Sequence, residues 1–466
     1  MSDGAGAIGP GVGALRPPLT VAHDARATVA LALPLVAGQL CTLGISVAEV
    51  ILAGHLSAHA LGVVALGTAL FNIANLAAAG VNAAVAPSVA QLDGAGLRHR
   101  AGPLFRQALA IAAVIGLLLT LIVYLGGPLA AAAFGFAPVL ADDVGGFLRA
   151  VAPAAFTLSL FYCCRGFSEG LSQPRPTMAF GLLGLLVLLP VGYALMYGAW
   201  GCPALGARGA GFAAVVATTV QTVAFALWLR FSGRYAGTGW RHGERRLDRD
   251  AVLGLLRIGV PMSVSMVLEI TLFSAAGLAI GEFGEAAAGG HQIALNVAGF
   301  SFMVPLGISI ATTVRVGNAV GRGDAAGVRR AGLCGMGLAL LVQMVSGAAM
   351  LLAPEAIARL YTQQDEVVAV AVTLLQLAGV FQLSDGLQVA AIGALRGLKD
   401  TRVPMLITAL AYWGIGFPLA LLLAFRLAWG PAGMWFGLIA GLTVAAALLS
   451  ARFLVLSRRL ARAWPV

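Results

Sequence analysis

Apolar residues run along this chain in long unbroken stretches rather than in alternation. Twelve stretches are long enough to cross a bilayer as helices, which takes about 20 residues each. They fall near 27–54, 60–86, 107–126, 147–165, 177–199 and 209–231, then near 251–280, 286–314, 331–352, 367–394, 403–425 and 431–456. No period-2 pattern marks them, so helices are predicted and not the strands of a membrane barrel. Connections are short except for an arginine-rich one between the sixth and seventh stretches. The predicted organisation is a tail over 1–26, a six-helix lobe over 27–231, a basic linker over 232–250, a second six-helix lobe over 251–456 and a tail over 457–466. The first tail holds Pro10, Pro17, Pro18 and many glycines but no apolar core, which predicts a flexible segment and not a signal peptide. It also contains Gly4-Ala-Gly6-Ala-Ile-Gly9, a formal GxGxxG that no strand precedes and no helix follows, and which therefore carries no nucleotide-binding meaning.

The chain repeats itself. A shift of 227 residues places Pro34 on Pro261, Gly80 on Gly307, Val89 on Val316, Gly94 on Gly321 and Gly96 on Gly323. The same shift places Gly170 on Gly397, Leu171 on Leu398, Arg175 on Arg402 and Met178 on Met405. Single glycine matches are cheap among 61 glycines, but one offset sustained over this distance is not. An even number of helices per unit gives both units the same orientation. The fold class is thus an all-α polytopic membrane protein of twelve transmembrane helices, in two six-helix lobes related by a parallel pseudo-two-fold repeat.

Composition agrees. Charged residues make up 10% of the chain and hydrophobic ones 60%, against about 25% charged in a soluble domain. With a mean hydropathy of +0.93, too little charge remains to wet a surface. This excludes a cytosolic enzyme, a disordered chain and a nucleic-acid binder despite the net charge of +10. The lipid bilayer is the implied surrounding, and nucleic acid is not an expected partner. The cationic residues also give direction. Of 29 Lys and Arg, all but Arg149, Arg208, Arg359 and Arg426 fall on the side shared by the tails and the even-numbered connections. Both termini are therefore expected in the cytoplasm. Five cysteines (Cys41, Cys163, Cys164, Cys202, Cys334) lack metal-ligand spacing and read as small hydrophobes.

The candidate chemistry is acidic. Sixteen of nineteen Asp and Glu lie in connections, tails or helix ends; Glu49, Glu269 and Asp385 do not. A carboxylate in a membrane helix costs about 2.5–3.5 kcal/mol on insertion scales, and no Lys or Arg is expected at comparable depth to neutralise these three. In the first span Gln39, Thr42, Ser46 and Glu49 share a stripe, and in the tenth Phe381, Asp385, Gln388 and Ile392 share a face, with Ser384 adjoining. In the eighth, Gln292 and Asn296 lie four apart after His291. For these two amides packing bonds between helices outweigh a functional reading, and for His291 a structural role outweighs proton carriage. The acids do not follow the repeat: Glu269 falls opposite Thr42, Asp385 opposite Leu158 and Glu49 opposite Ala276. Two carboxylates in one half predict a cation site confined to the C-terminal lobe. Pro34 and Pro261 predict kinks at equivalent places, and Gly277-x-x-x-Gly281 and Gly317-x-x-x-Gly321 fit close helix packing.

Several segments are similar to those of the multidrug and toxic compound extrusion (MATE) family, in its bacterial NorM-like branch. They are Val89-Ala-Gln-Leu-Asp-Gly-Ala-Gly96, His291-Gln-Ile-Ala-Leu-Asn296, Val314-Arg-Val-Gly-Asn-Ala-Val-Gly-Arg-Gly-Asp324, and Ser384-Asp-Gly-Leu-Gln388 running into Gly393-Ala-Leu-Arg-Gly-Leu-Lys-Asp400. The resemblance covers roughly residues 26–456. It implies two lobes around a V-shaped cavity and secondary active efflux of lipophilic cationic drugs and dyes against inward H+ or Na+. No cofactor is implied beyond the coupling ion. It further implies a monomeric, multi-pass protein of the bacterial inner membrane.

On this resemblance Glu269 and Asp385 match the acids of the coupling-ion site and would ligate Na+ if sodium is the ion. Asn296 is a further oxygen donor. Phe381 stands where relatives carry an aromatic hydroxyl, four residues before the acid of span 10. That departure removes an oxygen ligand and leans the expectation toward protons. Glu49 matches an acid of the first helix, usually Asp, and is assigned with Gln39, Ser46, Gln292 and Gln388 to the substrate cavity. The alternative is a flippase for lipids or lipid-linked oligosaccharides of a related fold, whose phosphates would favour intramembrane Arg or Lys. Enzyme, P-loop and channel readings fail on motif: HExxH, GxSxG and DDxxD are missing, the sole lysine, Lys399, precedes Asp400, and the acids form no repeated ring.

Overall fold

A computed structural model describes residues 21–133, 137–241 and 248–464, and places twelve spans where the apolar stretches predict them. Span 1 is Val21–Leu56, span 2 Ala58–Gly94, span 3 Arg98–Ala133, span 5 Arg175–Tyr197 and span 6 Ala207–Phe231. Span 4 consists of Pro138–Val151 and Pro153–Gly170, which meet at 42°. It extends further than the 147–165 expected, and its bend falls where Pro153 cannot donate a backbone hydrogen bond. Spans 7 to 10 are Arg249–Gly281, Glu285–Gly321, Ala325–Leu352 and Asp365–Gly397. Span 11 covers Arg402–Arg426, with π-helical turns at Leu410–Gly416 and Leu422–Arg426, and span 12 is Gly430–Ala463.

The outward faces confirm lipid as the solvent. On span 3, Val114, Leu118, Leu121, Leu125 and Leu129 are all exposed, a surface no water-soluble fold would leave bare. The inward faces are built from small residues. Gly433 and Gly437 of span 12 sit against Ala424 and Ala420 of span 11, so tightly that an added Cβ would strike backbone.

Three predicted boundaries need correction. The N-terminal tail lies outside the described residues up to position 20, but 21–26 open span 1. Asp24 is buried there and salt-bridged to Arg315, which a free tail would not permit. The linker is packed rather than loose over 232–241. Tyr235 is buried, its hydroxyl lies 2.8 Å from that of Ser168, and Trp240 Nε1 donates to the Leu229 carbonyl at 3.2 Å. Residues 242–247 lie outside the described residues. The C-terminal tail is helical through Ala463, anchored by buried Ser457.

The repeat is visible as reciprocal contact between lobes. A Cβ added at Gly80 would meet the backbone of Ser263, and one at Gly307 the backbone of Val36. The 227-residue shift converts each pair into the other. Likewise Gly94 abuts Asn318, and Gly321 abuts Gln91. The equivalent donors also bridge the lobes, although to acceptors two positions apart under the shift: Gln91 Nε2 donates to the Gly397 carbonyl at 2.9 Å, and Asn318 Nδ2 to Ser172 Oγ at 3.1 Å. Ser172 and Lys399, equivalent under the shift, both adopt left-handed backbone (φ 57° and 59°).

The contacts of Gly94, Gln91, Gly321 and Asn318 lie at the end of the molecule where span 1 begins and spans 2, 4, 8 and 10 finish, and those of Gly80 and Gly307 continue them inward to mid-span. There the lobes are sealed. One further tie at this end has no counterpart: Arg315 of span 8 donates to the Asp24 carboxylate and to Thr28, and Arg330 Nε of span 9 lies 3.3 Å from Asp24 Oδ2.

Candidate functional site

Beyond the seal lies a cavity of about 420 Å³, formed almost wholly by the C-terminal lobe, with Leu76 of span 2 as its contribution from the other lobe. Three helices build it. Span 10 presents Phe381, Asp385, Gln388, Ile392 and Arg396, spaced 4, 3, 4 and 4, which is one helical stripe. Span 7 presents Met266, Glu269, Ile270 and Phe273, and span 8 presents Leu295, Ala298, Gly299, Phe302 and Leu306. The walls are apolar and the polar groups few, the usual make-up of a site for an organic ligand.

Glu269 and Asp385, predicted as a pair, thus share one cavity. Asp385 is 4% exposed. Gln388 Nε2 faces Glu269 Oε1 at 3.5 Å, and Tyr412 donates its hydroxyl to Gln388 Oε1 at 2.5 Å. Tyr412 thereby fixes which way the amide points: its oxygen is taken, so its NH2 faces the carboxylate. Gln388 thus faces Glu269 within the cavity that the two carboxylates share. Tyr412 sits in the first π-helical turn of span 11, a distortion that recurs at functional sites.

Phe381 is buried in the cavity wall, edge-on to Phe273 (6.0 Å) and to Trp435 (5.6 Å). Trp435 Nε1 in turn donates to His291 Nδ1 at 3.2 Å, so that nitrogen carries no proton and His291 acts as a brace behind Phe381. One ring nitrogen is thus satisfied as a structural histidine's would be, while Nε2 is buried without a hydrogen-bond partner.

Asn296 and Gln292 do not join the site. Both are exposed, and Asn296 Nδ2 donates to the Gln292 carbonyl of its own helix at 2.9 Å. They share a face of span 8, but the residues that line the cavity, Leu295, Ala298, Gly299 and Phe302, occupy another. Glu49, Gln39 and Ser46 lie in the N-terminal lobe, away from this cavity. Glu49 is 9% exposed, Gln39 Oε1 is buried without a hydrogen-bond partner, and Ser46 is half-buried. Thr42 of the same stripe is exposed and bonds back to the Gly38 carbonyl, so the stripe is not a uniformly inward face.

Arg396 is the correction with most consequence. The sequence predicts no base at the depth of the acids, and this guanidinium stands about three turns past Asp385; even so it lines the same cavity, and its Nε is buried without a hydrogen-bond partner. Among the described residues no cluster of three or more His, Cys, Asp or Glu is arranged to hold a metal ion. The cavity therefore offers two carboxylates, an oriented amide and one cation within apolar walls.

Two duplicated helical lobes around a charged intramembrane cavity define a transporter of the parallel-repeat kind. A model of the MatE family matches residues 34–194 and again 261–422, two matches whose starts lie 227 residues apart. The chain belongs to the MatE family, and as a transporter of that family it is not an enzyme and needs no cofactor. It is 44% identical over 448 residues to the "Probable multidrug resistance protein NorM" of Xanthomonas campestris pv. campestris, covering 94% of this chain and 96% of that one. To the "Multidrug resistance protein PmpM" of Pseudomonas aeruginosa it is 36% identical over 452 residues, covering 95% and 94%. Its fold is similar to the eukaryotic MATE transporter AtDTX14 (TM-score 0.84, 21% identity, 95% and 98% covered). It is also similar to a multidrug resistance MATE family transporter solved in an outward-facing conformation (TM-score 0.86, 20% identity, 94% and 97% covered).

Proposed function

We propose that this protein is a secondary active multidrug antiporter of the bacterial inner membrane, exporting lipophilic cations in exchange for inward H+ or Na+. The observation that carries the proposal is the pairing of Glu269 and Asp385 in one cavity of one lobe, beyond a seal between the lobes. Two carboxylates in apolar surroundings attract cations of either kind, so a small ion and a larger organic one can compete for them. With both termini cytoplasmic, as the arginine distribution supports, the seal lies on the inner side. The cavity then belongs to an outward-facing state that releases drug and takes up the coupling ion.

Glu269 and Asp385 serve the ion in this reading, Gln388 and Tyr412 position them, and Glu49 with Gln39 and Ser46 contributes to substrate choice from the opposite lobe. Phe381 brings a ring face where a hydroxyl would supply a hard oxygen ligand, which favours protons or mixed coupling over strict sodium dependence. The flippase reading gains a cation in the cavity, Arg396. Two carboxylates share its cavity, however, and a phosphate there would meet more repulsion than attraction.

Efflux of a cationic dye from proteoliposomes under an imposed H+ or Na+ gradient tests the proposal. Gradient-dependent export is expected, with Phe381→Tyr moving it toward sodium stimulation. Movement of a labelled lipid without gradient-driven dye export would overturn it.

A further inference from the structure

Arg396 Nε is buried without a hydrogen-bond partner, and among the described residues the guanidinium forms no salt bridge, although it shares a cavity with two acids and feels the charge of Glu269 across it. The N-terminal lobe shows what this position does when it is purely structural. The 227-residue shift maps Arg165 onto Ile392 and Glu169 onto Arg396. Arg165 Nε donates to Glu169 Oε1 at 2.7 Å, closing the charges on each other one helical turn apart. In the C-terminal lobe the turn partner is isoleucine, and the guanidinium faces the cavity instead.

Arg396 lies three turns beyond Asp385, about 16 Å along the helix axis. Side chains tilt toward the helix N-terminus, which directs this one back up the stripe toward Gln388 and Asp385. The cavity thus carries negative charge along one part of its length and positive charge at its sealed end. A guanidinium with free donors selects for a carboxylate or another acceptor oxygen.

We propose that Arg396 is a specificity-determining residue. It receives an acceptor or anionic group of the ligand, and it opposes, by its charge, ligands that bring positive charge alone. The inference rests on the efflux reading above and refines it: the cavity discriminates between a plain cation and a zwitterion with the same ring system. Two unit charges about 10 Å apart at an effective dielectric near 20 change a binding constant by roughly tenfold, so the effect is large enough to measure.

The test uses the full-length protein in lipid nanodiscs and two probes, rhodamine B, a zwitterion with a free carboxylate, and its ethyl ester, a cation with the same rings. Dissociation constants come from fluorescence polarisation at neutral pH. In Arg396→Gln the ester should bind tighter and the acid weaker, raising the acid-to-ester ratio by about tenfold or more. Arg396→Lys, which keeps the charge, should stay near the wild-type ratio. Arg396→Met removes the charge at similar length and replaces the Gln variant if that one is not recovered folded. An unchanged ratio on charge removal, or a Lys variant that shifts as far as the Gln variant, would overturn the inference. Wild-type protein that binds neither dye would overturn the efflux reading itself.

Discussion

At equivalent places the N-terminal lobe carries Thr42 and Leu158 where the C-terminal lobe carries Glu269 and Asp385. Around them the N-terminal interior closes Arg165 and Glu169 on each other and settles many of its other polar groups among neutral partners. Thr157 and Thr218 share a hydrogen bond at 2.7 Å, Tyr162 donates to Asn75 at 2.8 Å, and Asn82 donates to Ser159 at 3.0 Å. The C-terminal interior instead gathers two carboxylates and a guanidinium in one cavity, with no salt bridge among them. What the lobes share are the contacts that seal them, because each such contact needs one member from either copy. A change in the glycines of one lobe disturbs a surface that the other lobe also uses, so symmetry is retained there. The cavity-lining positions bear no such mutual constraint and have diverged in charge.

The largest expected effect tests that asymmetry. Glu269→Gln and Asp385→Asn are nearly isosteric and should each lower gradient-driven dye efflux by about a hundredfold or more, the range in which loss of a charge required for function is seen. Thr42→Ala and Leu158→Ala, at the equivalent places, should stay within about twofold, since neither removes a charge. Equal losses in both lobes would break the comparison.

Next in size is the one-sided tie at the seal. Asp24 meets Arg315 and Arg330 with its carboxylate largely buried, and the shifted positions, Ala251 and Ser88, cannot form such a pair. Asp24→Asn should weaken the sealed state by about 3 kcal/mol, because it leaves the largely buried Arg315 guanidinium without its anion, whereas Arg330 keeps Asp324. Spin labels at Arg230→Cys and Arg458→Cys, both exposed at the sealed end, would report the change as a shift toward longer interlobe distances.

The glycine contacts should act in matched pairs. Gly80→Ala drives a methyl into Ser263 and Gly307→Ala drives one into Val36, each against backbone that cannot rotate aside. Both should cost about 1–3 kcal/mol of the sealed state and broaden the same distance distribution. Unequal shifts would show that the two-fold relation is geometric but not energetic.

The smallest effect concerns the paired left-handed turns. Lys399→Gly should stabilise the protein by about 1 kcal/mol by relieving a positive φ. Ser172→Gly gains the same relief but loses the hydrogen bond from Asn318 and should be near neutral. Thermal unfolding of both variants in the same detergent separates them.

Much of this architecture is legible without coordinates. Lipid demands long apolar helices, so the spans stand out, and a duplicated fold leaves an offset that glycines and prolines preserve. Glu269 and Asp385 stand out because an acid in an apolar run has no cheap explanation. Arg396 is hidden for the opposite reason. It stands two residues before Leu398, where the apolar run meets a basic connection, and composition cannot distinguish an arginine that turns outward from one that reaches back along its helix. Tyr412 is invisible because its partner, Gln388, belongs to another helix and no spacing rule links them. Asn296 misleads because a period of 3.6 tells which residues share a face but not which face looks inward. The start of span 1 is misplaced because the apolar run begins only near 27, and it is Arg315, 291 residues away, that makes Asp24 a buried partner.

The central claim is that the lobes share a scaffold while ion coupling resides in one of them. The measurement that bears on it most directly is ion exchange on drug binding: protons or sodium released per cationic dye bound to purified protein in weakly buffered, sodium-controlled solution. Wild type and Glu49→Gln should release ion as dye binds, whereas the Glu269→Gln/Asp385→Asn double variant should release none. Undiminished release from the double variant, with loss of release in Glu49→Gln, would place the coupling site in the N-terminal lobe and contradict the account.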